Sequence, residues 1–193
     1  DTVVSVYVSE SFLEKPEHEK CLQGYRYEVV SDAVFREISD TQTPQGILAI
    51  VRMPKYDLPD LLQGDHTHLL ILESVQDPGN LGTMVRTGEG AGITGIIMNK
   101  TTVDLFNPKT IRSTMGSIYR VPYLIAEHLP DLLDELHKEN IRLYAAHLKG
   151  DTYYDAFDFT GACGFLIGNE GNGLSDEIAE CADCYLKIPM EGK

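Results

Sequence analysis

The run LLIL at residues 69–72 is apolar at every position, and it opens directly into ESVQDPGNLGTMVRTGEGAG. A strand with one wet face alternates apolar and polar residues. A strand that is apolar throughout is buried on both faces, as in a parallel sheet. Parallel neighbours need a long crossover, usually a helix, and the downstream chain has this character. Strands are expected at ITGIIMN (93–99), IRLYAAHL (141–148), GACGFLIGNE (161–170) and CYLKIP (184–189). Between them, NPKTIRSTMG (107–116), HLPDLLDELHKEN (128–140) and LSDEIAECA (174–182) have helical patterns. Asn107 suits a cap and Pro108 a first helical position. Leu129, Leu132, Leu133 and Leu136 line one side of the middle helix. Alternating strands and helices argue an α/β fold, a parallel sheet covered on both faces.

Ahead of it, residues 1–53 read as a small α/β domain. TVVSVYVS and YRYEVV are strands, and SDAVFREIS is a helix capped by Ser31 with Val34, Phe35 and Ile38 on one face. TPQGILAIVRM turns into a third strand. Residues 54–67, with two prolines and a glycine, read as a linker holding one short helical turn. Residues 68–193 form the larger domain. The first residue is not methionine and lies inside an expected strand, so the chain is expected to begin part-way into a domain.

The formal net charge of −14 argues on its face against nucleic acid. The charge is uneven, however. Residues 78–126 hold five bases (Arg86, Lys100, Lys109, Arg112, Arg120) against two acids (Glu89, Asp104), a local excess of three. A basic face of this kind steers anions even on an acidic protein; it is also what a solvated helix face looks like. The four cysteines are too sparse for a disulfide scaffold, and CADC (181–184) ends a helical pattern where a redox motif would open one. Buried, reduced thiols and a cytoplasmic setting are expected. No apolar run reaches membrane-spanning length.

Elimination narrows the chemistry. GEGAGI (88–93) lacks the Rossmann spacing and follows its helix instead of opening it. A nucleotide-dependent oxidoreductase would rest on that run alone. No G-K-[ST] P-loop, G-x-S-x-G elbow or helical histidine pair occurs. Three glycine-bearing loops after strands are left: residues 76–82, 147–150 and 167–175. Ligands of open parallel sheets bind outside the carboxyl ends of strands. Glycines there admit close main-chain approach, or serve only as turns and caps. Few side-chain nucleophiles are present. The set suits a cofactor held mainly by backbone, with Asn80, Arg86, Asn169 and Glu170 as polar contacts.

ESVQDPGNLGTMVRTGEGAG, GNEGNGLSDEI and LKIPMEGK resemble, in order, the three blocks of the SpoU (TrmH-like) branch of the SPOUT RNA methyltransferases. The likeness runs from about Leu69 to the end. Residues 1–53, ending in TPQGILAIV, resemble part of the small L30e-like substrate-binding domain that precedes the catalytic domain in many members. The resemblance implies a SPOUT-type parallel sheet with a C-terminal trefoil knot, a homodimer whose active site draws on both subunits, and no metal. It implies transfer of a methyl group from S-adenosylmethionine to a ribose 2′-OH of RNA, releasing S-adenosylhomocysteine. Ribosomal RNA of the large subunit, at a guanosine, is expected first and tRNA second. A non-catalytic RNA-binding protein of the same fold is the alternative.

Carried over, Asn80, Arg86 and Glu170 match the catalytic positions. Read alone, Asn80 is also a turn residue, Glu170 a cap and Arg86 a solvent-facing charge. His147, Leu148, Lys149, Gly150, Ile167, Gly168, Asn169, Ile188 and Met190 match cofactor loops. Lys100, Lys109, Arg112, Ser117 and Arg120 are candidates for RNA contact. A guanidinium hardly deprotonates in proteins, so Arg86 is expected to clamp a phosphate bidentately, with the family's proposal of the arginine as base as the alternative. The family's third block continues beyond PMEGK into a Ser-Leu-Asn segment and a final helix, so the end of the catalytic domain is expected to be missing here.

Overall fold

The computed structural model describes residues 2–189. The chain divides into two compact units, Asp1–Lys55 and Tyr56–Lys193.

The first unit is a three-stranded sheet with short helices. β1 (Val3–Ser9) is followed by α1 (Glu10–Leu13) and α2 (Pro16–Glu19), two short helices without a sequence expectation. β1 is central. It runs parallel to β2 (Glu28–Val30) and antiparallel to the later β3 (Ile47–Val51). Between these two lies α3 (Asp32–Ile38), whose first turn is closed by Ser31 as its type suggests: the hydroxyl accepts the Val34 N–H. Of the three apolar residues expected to share a buried face, only Phe35 is buried; Val34 and Ile38 are exposed.

In the second unit, the elements alternate as the sequence suggests. α4 (Leu58–Leu61) precedes β4 (His68–Leu72), α5 (Pro78–Ala91), β5 (Gly95–Asn99) and α6 (Pro108–Ser113). Then come β6 (Tyr123–Ala126), α7 (Leu129–Lys138), β7 (Arg142–Ala146), β8 (Thr152–Tyr153), β9 (Cys163–Ile167), α8 (Asp176–Glu180) and β10 (Cys184–Lys187). β6 and β8 are additions to the expected list, being short and without a strong pattern. Among the described residues these strands form one seven-stranded sheet, ordered β6-β5-β4-β9-β7-β10-β8. Every pairing in it is parallel. β9 comes late in the chain and is laid into the gap between β4 and β7.

Both faces of the sheet centre are covered, which explains why LLIL does not alternate. Leu69 and Ile71 enter one core with Leu133, Leu136 and Ile178 of α7 and α8. Leu72 enters the other with Leu81 and Val85 of α5. The helix α5 begins earlier than expected. Asp77 caps it by accepting the Asn80 N–H, and Pro78 takes the first turn, so Gly79 and Gly82 are helical. Gly82 is a close-approach residue: a Cβ there would run into Ser113 and lie 2.7 Å from the Thr110 carbonyl of α6.

The expected linker also carries part of this core. Leu61, on α4, is fully buried and seats over Gly95, where any side chain would collide with it. Leu61→Ala is expected to cost the second unit about 2–5 kcal/mol, read as a lowered denaturation midpoint. Unchanged unfolding would mean that the segment does not belong to that unit's core.

Candidate active site at the carboxyl rim of the sheet

The strands that precede the glycine-bearing segments are neighbours. In β4, β9 and β7, Leu72 pairs with Ile167 and Leu166 with Ala145. Their carboxyl ends are therefore level, and the segments that follow emerge on one rim. Sheet growth also reverses here. β5 and β6 extend it one way from β4, while β9, β7 and β10 extend it the other. A crevice outside the strand ends at such a reversal is the usual ligand site of an open α/β sheet.

One carboxylate joins the rim of β9 to that of β4. Glu170 accepts the Gln76 N–H, the Asp77 N–H and the Asn80 side-chain amide, each at 3.1 Å. The Gln76 N–H leads in holding its carboxyl down at about 2, with Asn80 and Asp77 adding to it. Glu73 makes a second tie, accepting the Ser175 N–H at 2.8 Å and its hydroxyl at 2.7 Å. Ser175 in turn caps α8.

A third tie runs through amides. Asn99, the last residue of β5, accepts the Ser74 N–H at 2.9 Å and donates to the Ser74 hydroxyl at 3.2 Å. The Ser74 carbonyl then accepts the Asn169 amide at 2.9 Å and the Gln76 amide at 3.1 Å. Ser74 sits at φ 57, a left-handed conformation uncommon outside glycine and asparagine. Sequence reasoning missed Glu73, Ser74, Gln76 and Asn99. Their signal is position: Glu73, Ser74 and Gln76 lie just beyond one continuous apolar strand, and Asn99 ends the next.

This network bears on three of the candidates. The Asn169 amide donates into the protein, and its oxygen accepts the Gly171 and Asn172 N–H groups. Its side chain is therefore part of the loop and not a polar contact for a ligand. Gly168 is required by chain packing, since a Cβ there would overlap the Gly173 backbone. Arg86 does not join Asn80 and Glu170. It is exposed and eight residues beyond Pro78, about 12 Å further along the helix axis. Its side chain makes no hydrogen bond or ion pair among the described residues.

The remaining cofactor candidates gather after β7, β9 and β10. Leu148 is 93% exposed, and neither its main chain nor that of Gly168 is hydrogen-bonded among the described residues. Gly150 lies close against β10: a Cβ would stand 3.1 Å from the His147 carbonyl and from the Leu186 backbone. His147 accepts the Lys149 N–H at 3.1 Å, and Lys149 pairs with Asp176 at 2.8 Å. Ile167 and Ile188 line an apolar cavity of about 350 Å³ with Tyr144, Phe165 and Leu186. Met190 lies outside the described residues. Open main-chain groups beside apolar walls fit a nucleoside cofactor, whose base has a polar edge and apolar faces.

Of the RNA candidates, Lys100 pairs with Glu127, Lys109 with Asp77 and Arg120 with Glu89. Arg112 makes no ion pair among the described residues. Ser117 is corrected: it is 1% exposed. Its hydroxyl helps Arg120, the larger influence, hold the Glu89 carboxyl at about 2. The cysteines are free. Cys181 and Cys184 pack into different cores, and burial pushes the Cys163 thiol up to about 11. Among the described residues, no histidine, cysteine, aspartate and glutamate group could hold a metal ion, and no helix is long and apolar enough to cross a membrane.

A parallel α/β unit with its polar network at a sheet reversal is the frame of a ligand-binding or transferase domain. The comparisons make it specific. Residues 67–193 match the SpoU rRNA Methylase family, and residues 1–57 match the family described as RNA 2'-O ribose methyltransferase substrate binding. The chain belongs to the SpoU methylase family. It is 34% identical over 170 residues to the 23S rRNA (guanosine(2553)-2'-O)-methyltransferase RlmP of Bacillus subtilis, covering 88% of this chain. The chain spans 66% of that relative's length. Among solved structures it resembles the SpoU methyltransferase AviRb of Streptomyces viridochromogenes in complex with AdoMet (25% identity, TM-score 0.88, 98% of this chain and 75% of that one). It also resembles an AdoMet-bound rRNA methyltransferase of Sinorhizobium meliloti (28% identity, TM-score 0.80, 100% and 73%).

The Glu170 tie has a pH signature. Its folded value of about 2 lies below the ordinary 4.5, so its contribution is complete above the ordinary value and is lost as pH falls toward the folded one. The stability difference between wild type and Glu170→Gln is expected to shrink between pH 4.5 and about 2. A difference that holds constant across that window would remove Glu170 from the rim network.

Proposed function

We propose that this chain is the substrate-binding and catalytic part of an S-adenosylmethionine-dependent RNA ribose 2′-O-methyltransferase. Its RNA is rRNA of the large subunit, with guanosine as the target and tRNA as the second choice. The carrying observation is the level rim of β4, β9 and β7. On it, the glycine segments of two family blocks are tied through Glu170, next to main-chain groups left open for a ligand. The named relatives and the two AdoMet-bound neighbours support the same reading. The knot and the cytoplasmic setting belong to this proposal too.

Leu148, Gly168 and the Ile167–Ile188 walls would hold the cofactor, which when bound supplies a methyl activated by a positive sulfur and leaves as S-adenosylhomocysteine. What remains for the protein is alignment of the ribose oxygen with the methyl carbon and loss of the hydroxyl proton. Arg86 grips the neighbouring phosphate in a bidentate fork. That grip orients the ribose and favours negative charge growing on O2′. The proton passes from O2′ to a phosphate oxygen. Asn80 and Glu170 act on the rim by keeping the β4 and β9 segments together.

Arg86 and the rim of its own subunit lie apart along α5, which supports a homodimer in which Arg86 serves the partner's cofactor site. Apolar surface is available for such a contact. One flank of α5, at Thr83, Met84, Thr87 and Ala91, borders a cavity of about 360 Å³ with Leu70 and Phe165.

Two measurements test this. Arg86→Ala is expected to lower methyl transfer to RNA by roughly 100- to 1000-fold while leaving S-adenosylhomocysteine affinity unchanged; a matching loss of cofactor affinity would contradict the phosphate role. Mixed with Gly168→Val, which disrupts the β9 segment of its own subunit, Arg86→Ala is expected to regain activity. No recovery from dimers shown to exchange subunits would assign Arg86 to its own site.

A further inference from the structure

The turn after α6 exposes two large side chains that no part of the site uses. Met115 is 73% exposed and Tyr119 is 63% exposed. Neither side chain has a hydrogen bond or ring contact among the described residues. The backbone that presents them is firmly held. Thr114 is fully buried and its hydroxyl donates to the Ile111 carbonyl at 2.7 Å. Ser117 and Ile118 are buried on the other side. The Ser117 N–H donates to the Thr114 carbonyl, and the Tyr119 N–H to the Gly116 carbonyl. Between these anchors Met115 is fixed at φ 51. A left-handed methionine is disfavoured, and such conformations persist where the surroundings over-determine them, often at functional sites.

The patch lies beside Arg86. On α5, Gly82 abuts Ser113 and Glu89 pairs with Arg120. Arg86 is four residues after the first and three before the second, so all three share one helix flank. That flank faces the segment carrying Met115 and Tyr119. Arg112, in the last turn of α6, is exposed and without an ion pair among the described residues. An open aromatic ring, a flexible thioether and two uncommitted guanidiniums form a sequence-tolerant surface for an unstacked base and its phosphate. An exposed ring beside cations without a carboxylate partner matches a polyanion that carries stackable bases, which favours RNA over an acidic protein.

We propose that Met115 and Tyr119 form a stacking platform for one unpaired RNA base next to the methylated nucleotide, with Arg112 on the adjoining phosphate. This rests on the RNA methyltransferase reading and adds a subsite to it. Tyr119 is thereby a specificity-determining residue that selects looped over paired RNA.

The test uses the chain as it stands and RNA hairpins with 2-aminopurine at successive loop positions, since stacking on tyrosine quenches that base. Wild type is expected to quench it at one position. Tyr119→Ala should lose the quench and weaken binding about tenfold. Tyr119→Phe should keep both, and Met115→Ala should weaken binding less. Thermal midpoint and S-adenosylhomocysteine affinity should remain at wild-type values in all three. Wild-type affinity and quench in Tyr119→Ala would overturn the platform. A changed oligomeric state would overturn it too, marking the patch as a subunit contact. Cofactor binding without any RNA binding sinks the platform and spares the rim; quenching without cofactor binding spares the platform and sinks the methyltransferase reading.

Discussion

The level register of β9 against β4 is the constraint on which the site depends. Leu72 stands opposite Ile167, so the segments that leave the two strands begin side by side. Only then can one carboxylate, Glu170, reach Gln76, Asp77 and Asn80 together. A slip of one residue would turn Leu166 and Ile167 to the wrong faces and carry Glu170 away from its donors. The register is secured from both sides of the sheet, because Leu69 and Ile71 are locked into one core and Leu72 into the other.

Around that register the rim is built as a stiff frame. Glu73, Glu170 and the Asn99–Ser74–Asn169 chain fasten segments that are far apart in sequence. Each tie uses a charged or amide side chain against main-chain or short polar groups. Preorganisation of this kind is what the proposed methyl displacement asks of the protein. The open main-chain groups of Leu148 and Gly168 lie on the same rim, after β7 and β9, and Arg86 stands outside the frame.

Much of the architecture was legible because burial leaves a direct trace. LLIL reads as a two-sided strand, and Asn107-Pro108 and Ser31 read as helix starts. The glycines were harder. Gly82, Gly150 and Gly168 look alike in sequence, yet they fill two different needs. Gly82 brings two helices together; Gly150 and Gly168 let chain lie on chain. Asn169 looked like a ligand contact because a polar residue between glycines has many uses; its partner, the Ser74 carbonyl, is ninety-five residues away. Long-range hydrogen bonds leave no periodicity behind. Leu61 was hidden for a related reason, since prolines and charge around it read as linker, while it is fully buried and Tyr56, Leu58 and Leu62 pack against the same core.

The three cations of the basic stretch that carry their own carboxylates bear on how such a surface meets a polyanion. Exposed pairs of this kind are individually weak, but they leave Lys100, Lys109 and Arg120 already neutralised. Random duplex offers them little, because every phosphate must first displace a tethered acid. Fewer condensed ions are set free on contact, and the entropy that drives indiscriminate attachment to nucleic acid is correspondingly small. For the proposed RNA contact, Arg86 and Arg112 are then the cations of the stretch without a carboxylate partner among the described residues.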